Sequence, residues 1–264
     1  MQNLNVTIVQ STLYWEDPAR NLEMFAKKIE DLQEETDLIA LPEMFTTGFT
    51  MNPQIAAEPA NGRALQWMGQ MAASRNCVIC GSVAVEDQGK YYNRFFWVRP
   101  DGSFETYDKR HLFTFAGENK DYAKGSGKLI VELKGWRIMP LICYDLRFPV
   151  WSRNRYREGK GFDYDALLYI ASWPATRSHA WRIMMMARAI ENQAYVIGVN
   201  RLGVDGNEIQ YTGDSAVINP LGENLSNLLP NQEGMETVIM PRCPLNSFRE
   251  SFRAWADWDD FRME

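Results

Sequence analysis

The sequence predicts an α/β protein with mixed sheets. Early in the chain, short apolar strand runs alternate with segments of helical period. Hairpin signals follow in the middle, and that combination gives mixed rather than purely parallel sheets. No linker, internal repeat or low-complexity tract interrupts the 264 residues, so a single domain over 1–264 is expected.

Leu4, Val6 and Ile8 read as a buried strand. Asp17 then caps a helix whose first position is Pro18, where the missing N–H would be unpaired anyway. Leu22, Phe25, Ala26, Ile29 and Leu32 recur at helical spacing and give that helix an apolar face. Residues 38–41 are a short apolar run ending at Pro42 and read as a buried strand. A helix over 62–75 leads to a strand over 78–85. Strands over 91–98 and 104–107 flank Pro100-Asp101-Gly102, a strong turn signal. Residues 109–127 lack periodicity and form a long loop, a kind that is usually functional inside a compact domain. Strands over 129–133 and 138–142 surround Lys134-Gly135. A helix near 151–157, a strand over 166–171, a helix over 179–193 and a strand over 195–199 follow. Residues 216–219 are expected to pair with 237–240. The tail from Arg253, rich in Trp, Asp and Phe, is expected to reach a partner subunit rather than fold on itself.

Bulk properties exclude several function classes. The net charge is −6, without the basic excess of a nucleic-acid binder. Arg153, Arg155, Arg157 and Lys160 are the one dense basic group and read as the solvated face of a helix. No apolar run is long enough to span a bilayer. The opening MQNLNVTIVQ lacks a charged n-region and enters a strand directly, so it does not read as a signal peptide. Four cysteines without an export signal point to free thiols in a reducing cytoplasm.

Few residues can carry chemistry. With His111 and His179 as the only histidines, a multi-histidine metal site is out of reach. Cys77 and Cys80 have redox-pair spacing but lie in a strand pattern, where positions i and i+3 face opposite sides. They read as core. Cys143 ends a buried strand and enters Tyr144-Asp145-Leu146-Arg147. Strand ends are where α/β proteins build sites. Glu43 follows residues 38–42 in the same way, and Lys109 opens the long loop. Each has a structural reading: core cysteine, ion-pair partner, solvated lysine. Their shared position at strand-to-loop junctions is what singles them out.

These residues sit in motifs that resemble the nitrilase, or carbon-nitrogen hydrolase, superfamily. Leu41-Pro42-Glu43-Met44-Phe45, Asp108-Lys109-Arg110-His111-Leu112-Phe113 and Leu141-Ile142-Cys143-Tyr144-Asp145-Leu146-Arg147-Phe148-Pro149 are similar to its glutamate, lysine and cysteine motifs. The gaps of 66 and 34 residues suit its order. Gly117-Glu118, Arg188-Ala189-Ile190-Glu191-Asn192 and Gly213-Asp214-Ser215 match further. Cys143–Pro149 is similar to the omega-amidase branch, and residues 172–177 and 191–196 to its bacterial members.

The resemblance implies a four-layer αββα sandwich with two mixed sheets. It also implies a Glu43-Lys109-Cys143 triad, no metal or other cofactor, and a homodimer or higher homo-oligomer. The C-terminal extension, about 243–264, would contact the partner subunit. The implied substrate is a small amide, 2-oxoglutaramate or 2-oxosuccinamate, hydrolysed to the 2-oxo acid and ammonia. Neither nucleic acid nor membrane is an expected partner. Other carbon-nitrogen substrates of the same fold stay open: an N-carbamoyl compound, a nitrile or a deaminated thiol peptide. So does a non-catalytic binding protein.

A thiol needs activation to attack an amide. Glu43 is expected to act as general base, and Lys109 to stabilise the thiolate and lower its pKa. The resemblance gives the oxyanion to Lys109 and the Tyr144 N–H, and a supporting role to Glu118. Arg147 and Arg177 are candidates for the substrate carboxylate, since a guanidinium grips one through two parallel bonds. Phe45, Phe115 and Trp173 are candidate aromatic walls. Arg188, Glu191 and Asn192 share one helix face and read as scaffold.

Overall fold

The computed structural model describes residues 2–263. Chain order runs β1 (Leu4–Gln10), α1 (Pro18–Glu30), β2 (Leu38–Ala40), α2 (Pro53–Ala56), β3 (Glu58–Pro59), α3 (Arg63–Arg75), β4 (Val78–Asp87), β5 (Lys90–Val98) and β6 (Phe104–Asp108). It continues through α4 (Glu118–Asp121), β7 (Val131–Leu133), β8 (Trp136–Ile142), α5 (Pro149–Ser152), β9 (Tyr156–Arg157), β10 (Gly161–Phe162), β11 (Ala166–Ala171) and α6 (Ser178–Asn192). Then come β12 (Tyr195–Asn200), β13 (Leu202–Val204), β14 (Gln210–Thr212), β15 (Ala216–Ile218), β16 (Gly234–Met240) and α7 (Arg242–Ser251).

Local chemistry starts α1 as the sequence requires. The Asp17 carboxylate accepts the Arg20 N–H at 3.1 Å, and Pro18 takes the first helical position. One sheet has the order β16-β1-β2-β4-β5-β6, with β3 alongside β4. Its β1, β2 and β4 are parallel, and its other main pairs are antiparallel. The second sheet has the order β15-β12-β11-β8-β7 with β12, β11 and β8 parallel. Both are therefore mixed.

Side-chain alternation creates the layers. Leu38, Ala40, Val78 and Cys80 enter a core shared with Leu141, Ile142 and Leu168 of the second sheet. Ile39, Leu41, Cys77 and Ile79 face the other way and pack with Phe25 and Ile29 of α1 and Met68 of α3. Cys77 and Cys80 are thus free thiols in different cores. On the far side, Trp181, Met185 and Ala189 of α6 close the second sheet. The result is the expected αββα sandwich. No helix among the described residues is long and apolar enough to cross a membrane.

Two expectations are corrected. Residues 216–219 do not pair with 237–240. β15 pairs with β12, whereas β16 joins the other sheet through Leu4↔Met240 to Gln10↔Gly234. The intervening segment carries the chain between sheets, and Val238 and Met240 are buried between them. The helix near 151–157 stops at Ser152, and the antiparallel β9–β10 ribbon replaces its second half. Asn154 is the cause. Its Nδ2 donates to Tyr164 O and Asn192 O, both at 3.1 Å, and its Oδ1 accepts from the Arg155 and Tyr164 N–H groups. An asparagine that binds backbone in this way competes with the helix. The basic group at 153–160 therefore decorates a ribbon, and the tail from Arg253, expected to extend away rather than fold on its own chain, packs over that ribbon. Trp255 meets Tyr156 at 3.9 Å between ring centroids, and Arg155 donates to Phe261 O at 2.7 Å.

Asn154→Ala should lower the unfolding free energy by about 1–3 kcal/mol, the cost of leaving buried polar groups unpaired. Urea denaturation measures this, and an unchanged midpoint would contradict the role given to Asn154.

Candidate active site

Glu43 leaves the carboxyl end of β2. Its turn is fastened to β4: Leu41 N donates to Cys80 O, Met44 N to Ser82 Oγ and Phe45 N to Ser82 O. Lys109 follows β6. Its N–H donates to Asn93 O at 3.0 Å and its carbonyl accepts from Gly125 N at 2.9 Å. Just before it, Asp108 is gripped by Arg94 through two bonds of 2.7 and 3.0 Å. A Cβ at Gly125 would stand 2.1 Å from the Asp108 carbonyl oxygen, so this close approach admits only glycine.

Cys143 leaves β8 with φ of 43°, a left-handed conformation that costs a residue with a side chain of order 1 kcal/mol. The turn is held on both sides. Asp145 accepts the Ile142 N–H, and Arg188 donates to Leu146 O at 2.6 Å. Arg188 thus fills the scaffold role expected of it. Glu118 opens α4 and accepts the Phe113 N–H at 2.6 Å, so the 109–127 loop contains ordered helical turns.

These junctions converge. Lys109 Nζ donates to Glu43 Oε1 at 2.9 Å and to the two Glu118 oxygens at 3.0 and 2.9 Å. All three side chains have 0% exposure. Asn93 Nδ2 donates to Glu43 Oε1 at 2.8 Å and lies 3.4 Å from Glu118 Oε1. Ser172, just past β11, donates its N–H to Glu43 Oε2 at 2.8 Å, and the same N–H faces the Cys143 sulfur.

The charges are ordered by burial and pairing. Burial alone would lower the Lys109 ammonium, but Glu118 and Glu43 outweigh it and hold it above its usual range. Burial lifts Glu118 above the usual carboxylate range, with Lys109 opposing and Glu43 reinforcing the shift. Burial also pushes the Cys143 thiol well up, and Glu43 adds to it. Lys109 and the Ser172 N–H pull the other way without prevailing. Lys109 thus acts on the thiol in the expected direction, and burial with Glu43 outweighs it, so the net shift is upward.

Cys143 is 8% exposed, and its open side lines a cavity of about 400 Å³. Tyr144, Arg147, Trp173, Arg177, Phe49 and Tyr211 are among its walls. Arg147 lies over the Trp173 ring at 4.9 Å, and Arg177 lies near Phe113 and Phe115. Among the described residues, no carboxylate pairs with either guanidinium. The cavity's own Asp205 is occupied by the Asn207 and Ile209 N–H groups and the Tyr211 hydroxyl.

Residues 5–251 match the carbon-nitrogen hydrolase family. The chain belongs to that family. It is 46% identical to omega-amidase YafV of Escherichia coli K12 over the whole of both chains. It is 31% identical to 2-oxoglutaramate amidase of Bacillus subtilis over 98% of each. Among solved structures it resembles XC1258 of Xanthomonas campestris, a CN-hydrolase superfamily protein with an arsenic adduct in its active site. That match has 42% identity, a TM-score of 0.97 and full coverage of both chains.

In this carbon-nitrogen hydrolase, Glu43, Lys109, Cys143 and Glu118 form one cluster, and Tyr144, Arg147, Trp173 and Arg177 line its cavity. Two aromatic candidates are corrected. Phe45 has 0% exposure and packs with Phe25 and Trp67 in the helix-side core, because its strand-end position faces the helices. Phe115 is 81% exposed and lies outside the cavity walls. Sequence reasoning missed Asn93 and Ser172. A polar side chain inside the apolar 91–98 run was a usable signal for Asn93. Ser172 reaches the Glu43 carboxylate through its backbone N–H, a contact that leaves no mark on residue identity, while its hydroxyl donates to the Glu43 carbonyl at 3.4 Å.

The upward shift of the Cys143 thiol can be checked by ultraviolet difference spectroscopy between the wild type and Cys143→Ala. Its folded pKa is raised, so no thiolate absorbance should be lost at neutral pH, and a difference should emerge only in alkali. A full thiolate difference at neutral pH would contradict the assignment.

Proposed function

We propose that this hydrolase is a cysteine-dependent omega-amidase acting on 2-oxoglutaramate and 2-oxosuccinamate. The observation that carries the reading is the buried Glu118–Lys109–Glu43 chain set against a thiol at the cavity wall. The omega-amidase and 2-oxoglutaramate amidase relatives support the substrate class. Two guanidiniums in the cavity that no carboxylate of the described residues pairs with suit a linear amide with a carboxylate at its far end.

In the proposed cycle, Glu43 takes the Cys143 proton as sulfur attacks the amide carbon. Lys109 and the Tyr144 N–H receive the developing oxyanion, and a single such donor lowers a barrier by about 3 kcal/mol. Glu43 returns the proton to the leaving nitrogen, the C–N bond breaks and ammonia departs. Water, deprotonated by Glu43, then attacks the thioester. The C–S bond breaks, the acid is released and the sulfur regains its proton. Glu43 thus serves as base and acid in turn, and Glu118 holds Lys109. Arg147 and Arg177 hold the remote carboxylate, and Trp173 backs Arg147. A histidine base lacks support, because His111 stacks on Phe148 and shares Asp145 with its own backbone N–H, while His179 is exposed.

The reading includes a cytoplasmic homodimer whose C-terminal tail contacts the second copy. Four free cysteines suit a reducing compartment, and exposed Ile183 and Ile190 on α6 suit self-association. Light scattering should give twice the chain mass; the mass of one chain would contradict the dimer.

Ammonia release from 2-oxoglutaramate, an N-carbamoyl amino acid and an aliphatic nitrile tests the activity. The first should have the highest kcat/KM, and finding it slowest would overturn the substrate assignment. Cys143→Ala should lose roughly 10⁴-fold or more, and Glu43→Gln roughly 10²- to 10⁴-fold. Arg147→Ala should raise KM for 2-oxoglutaramate by about 10- to 100-fold, the size of a bond to a charged group. An unchanged KM would remove Arg147 from the carboxylate site.

A further inference from the structure

Asn93 touches every charged member of the cluster. Its backbone carbonyl holds the Lys109 N–H at 3.0 Å. Its side-chain nitrogen reaches Glu43 Oε1 at 2.8 Å and Glu118 Oε1 at 3.4 Å. Carboxylate oxygens can only accept, so the amide must turn its N–H₂ toward them. That leaves Asn93 Oδ1 buried without a hydrogen-bond partner among the described residues. A buried amide normally satisfies both ends. Here the pull of two carboxylates decides its orientation.

The consequence falls on Glu43. Its Oε1 already accepts from Lys109 and Asn93, which occupy both lone pairs. Among the described residues, its Oε2 accepts from the Ser172 N–H alone, at 2.8 Å, and that N–H also faces the Cys143 sulfur. We propose that Asn93 is a positioning residue that divides the labour within Glu43. It helps hold Oε1 to Lys109 and leaves Oε2 as the atom that exchanges the Cys143 proton. The inference rests on the reading of Glu43 as general base. In the step, the S–H bond breaks and an O–H bond forms at Oε2. One anion replaces another, and the charge of the buried cluster does not change.

The titratable groups around Glu43 are Lys109 from the loop after β6, Glu118 from α4 and Cys143 from the turn after β8. Tyr122 lies beyond Glu118 with its hydroxyl on Thr50 O. Asn93 Nδ2 donates to Glu43 and reaches Glu118, so its loss removes a hydrogen bond from the proposed base and should move the acid limb of the activity profile upward.

The experiment is the pH profile of ammonia release from 2-oxoglutaramate by the wild type, Asn93→Ala and Asn93→Asp, with Glu43→Gln alongside. Asn93→Ala should lose roughly 10- to 100-fold in kcat, the scale of one bond to a charged group, with KM within about threefold. Its acid limb in kcat/KM should move up by about one pH unit. Asn93→Asp keeps the volume and adds a third carboxylate, so its limb should move further in the same direction. Should Asn93→Ala fail to fold, Asn93→Ser, too short to reach Glu43, must show the same shift. Wild-type limbs in the folded variants would overturn the assignment, whatever the change in rate. If Glu43→Gln stays active, the base reading itself fails. If Glu43→Gln is dead while the Asn93 limbs stay put, only the role of Asn93 fails.

Discussion

An ammonium cut off from water must find anions, and at Lys109 the protein supplies two. Removing one buried charge from water costs several kcal/mol, and only close pairing with further hydrogen bonds offsets it. Glu43 and Glu118 provide the pairing at 2.9 Å, and Asn93, Phe113 N–H and Ser172 N–H satisfy the remaining oxygens. The surrounding architecture serves that constraint. Arg94 clamps Asp108, Gly125 lets the loop close on the backbone beside Lys109, and β4 fastens the turn that carries Glu43.

Burial, reinforced by Glu43, pushes the Cys143 thiol up against the pull of Lys109, whose ammonium is shared with two carboxylates. In the proposed cycle, activation is a proton transfer within the cluster: when the thiol proton moves to Glu43, Lys109 loses one anionic partner and becomes free to stabilise the sulfur and then the oxyanion. The left-handed backbone at Cys143 suits this role. It bends the chain sharply at the strand end, bringing the side chain beside Ser172 and onto the cavity wall.

Much of this was legible in the residues. Strand alternation sorted Cys77 from Cys80, Asp17 and Pro18 marked a helix start, and three strand-to-loop junctions carried Glu43, Lys109 and Cys143. The failures have a common cause: they depend on partners distant in the chain. β16 seeks the open edge of β1 rather than nearby β15, and local pattern does not say which edge is open. The 151–157 helix gives way because Asn154 reaches Tyr164 and Asn192. Phe45 looked like a pocket wall beside Glu43, but the pleat sends it to the helices. Asn93 and Ser172 became visible only once Glu43 had a position in space.

The most direct test of the buried network removes its cation. In Lys109→Met, two carboxylates would be buried together without a counter-charge, and one must take up a proton. A folded-state pKa raised above the unfolded value contributes stability at low pH that is lost as pH rises. Urea unfolding of this variant should therefore show stability falling from mildly acidic to neutral pH, by up to about 1.4 kcal/mol per pH unit relative to wild type. A variant whose stability runs parallel to wild type across that range would contradict the account.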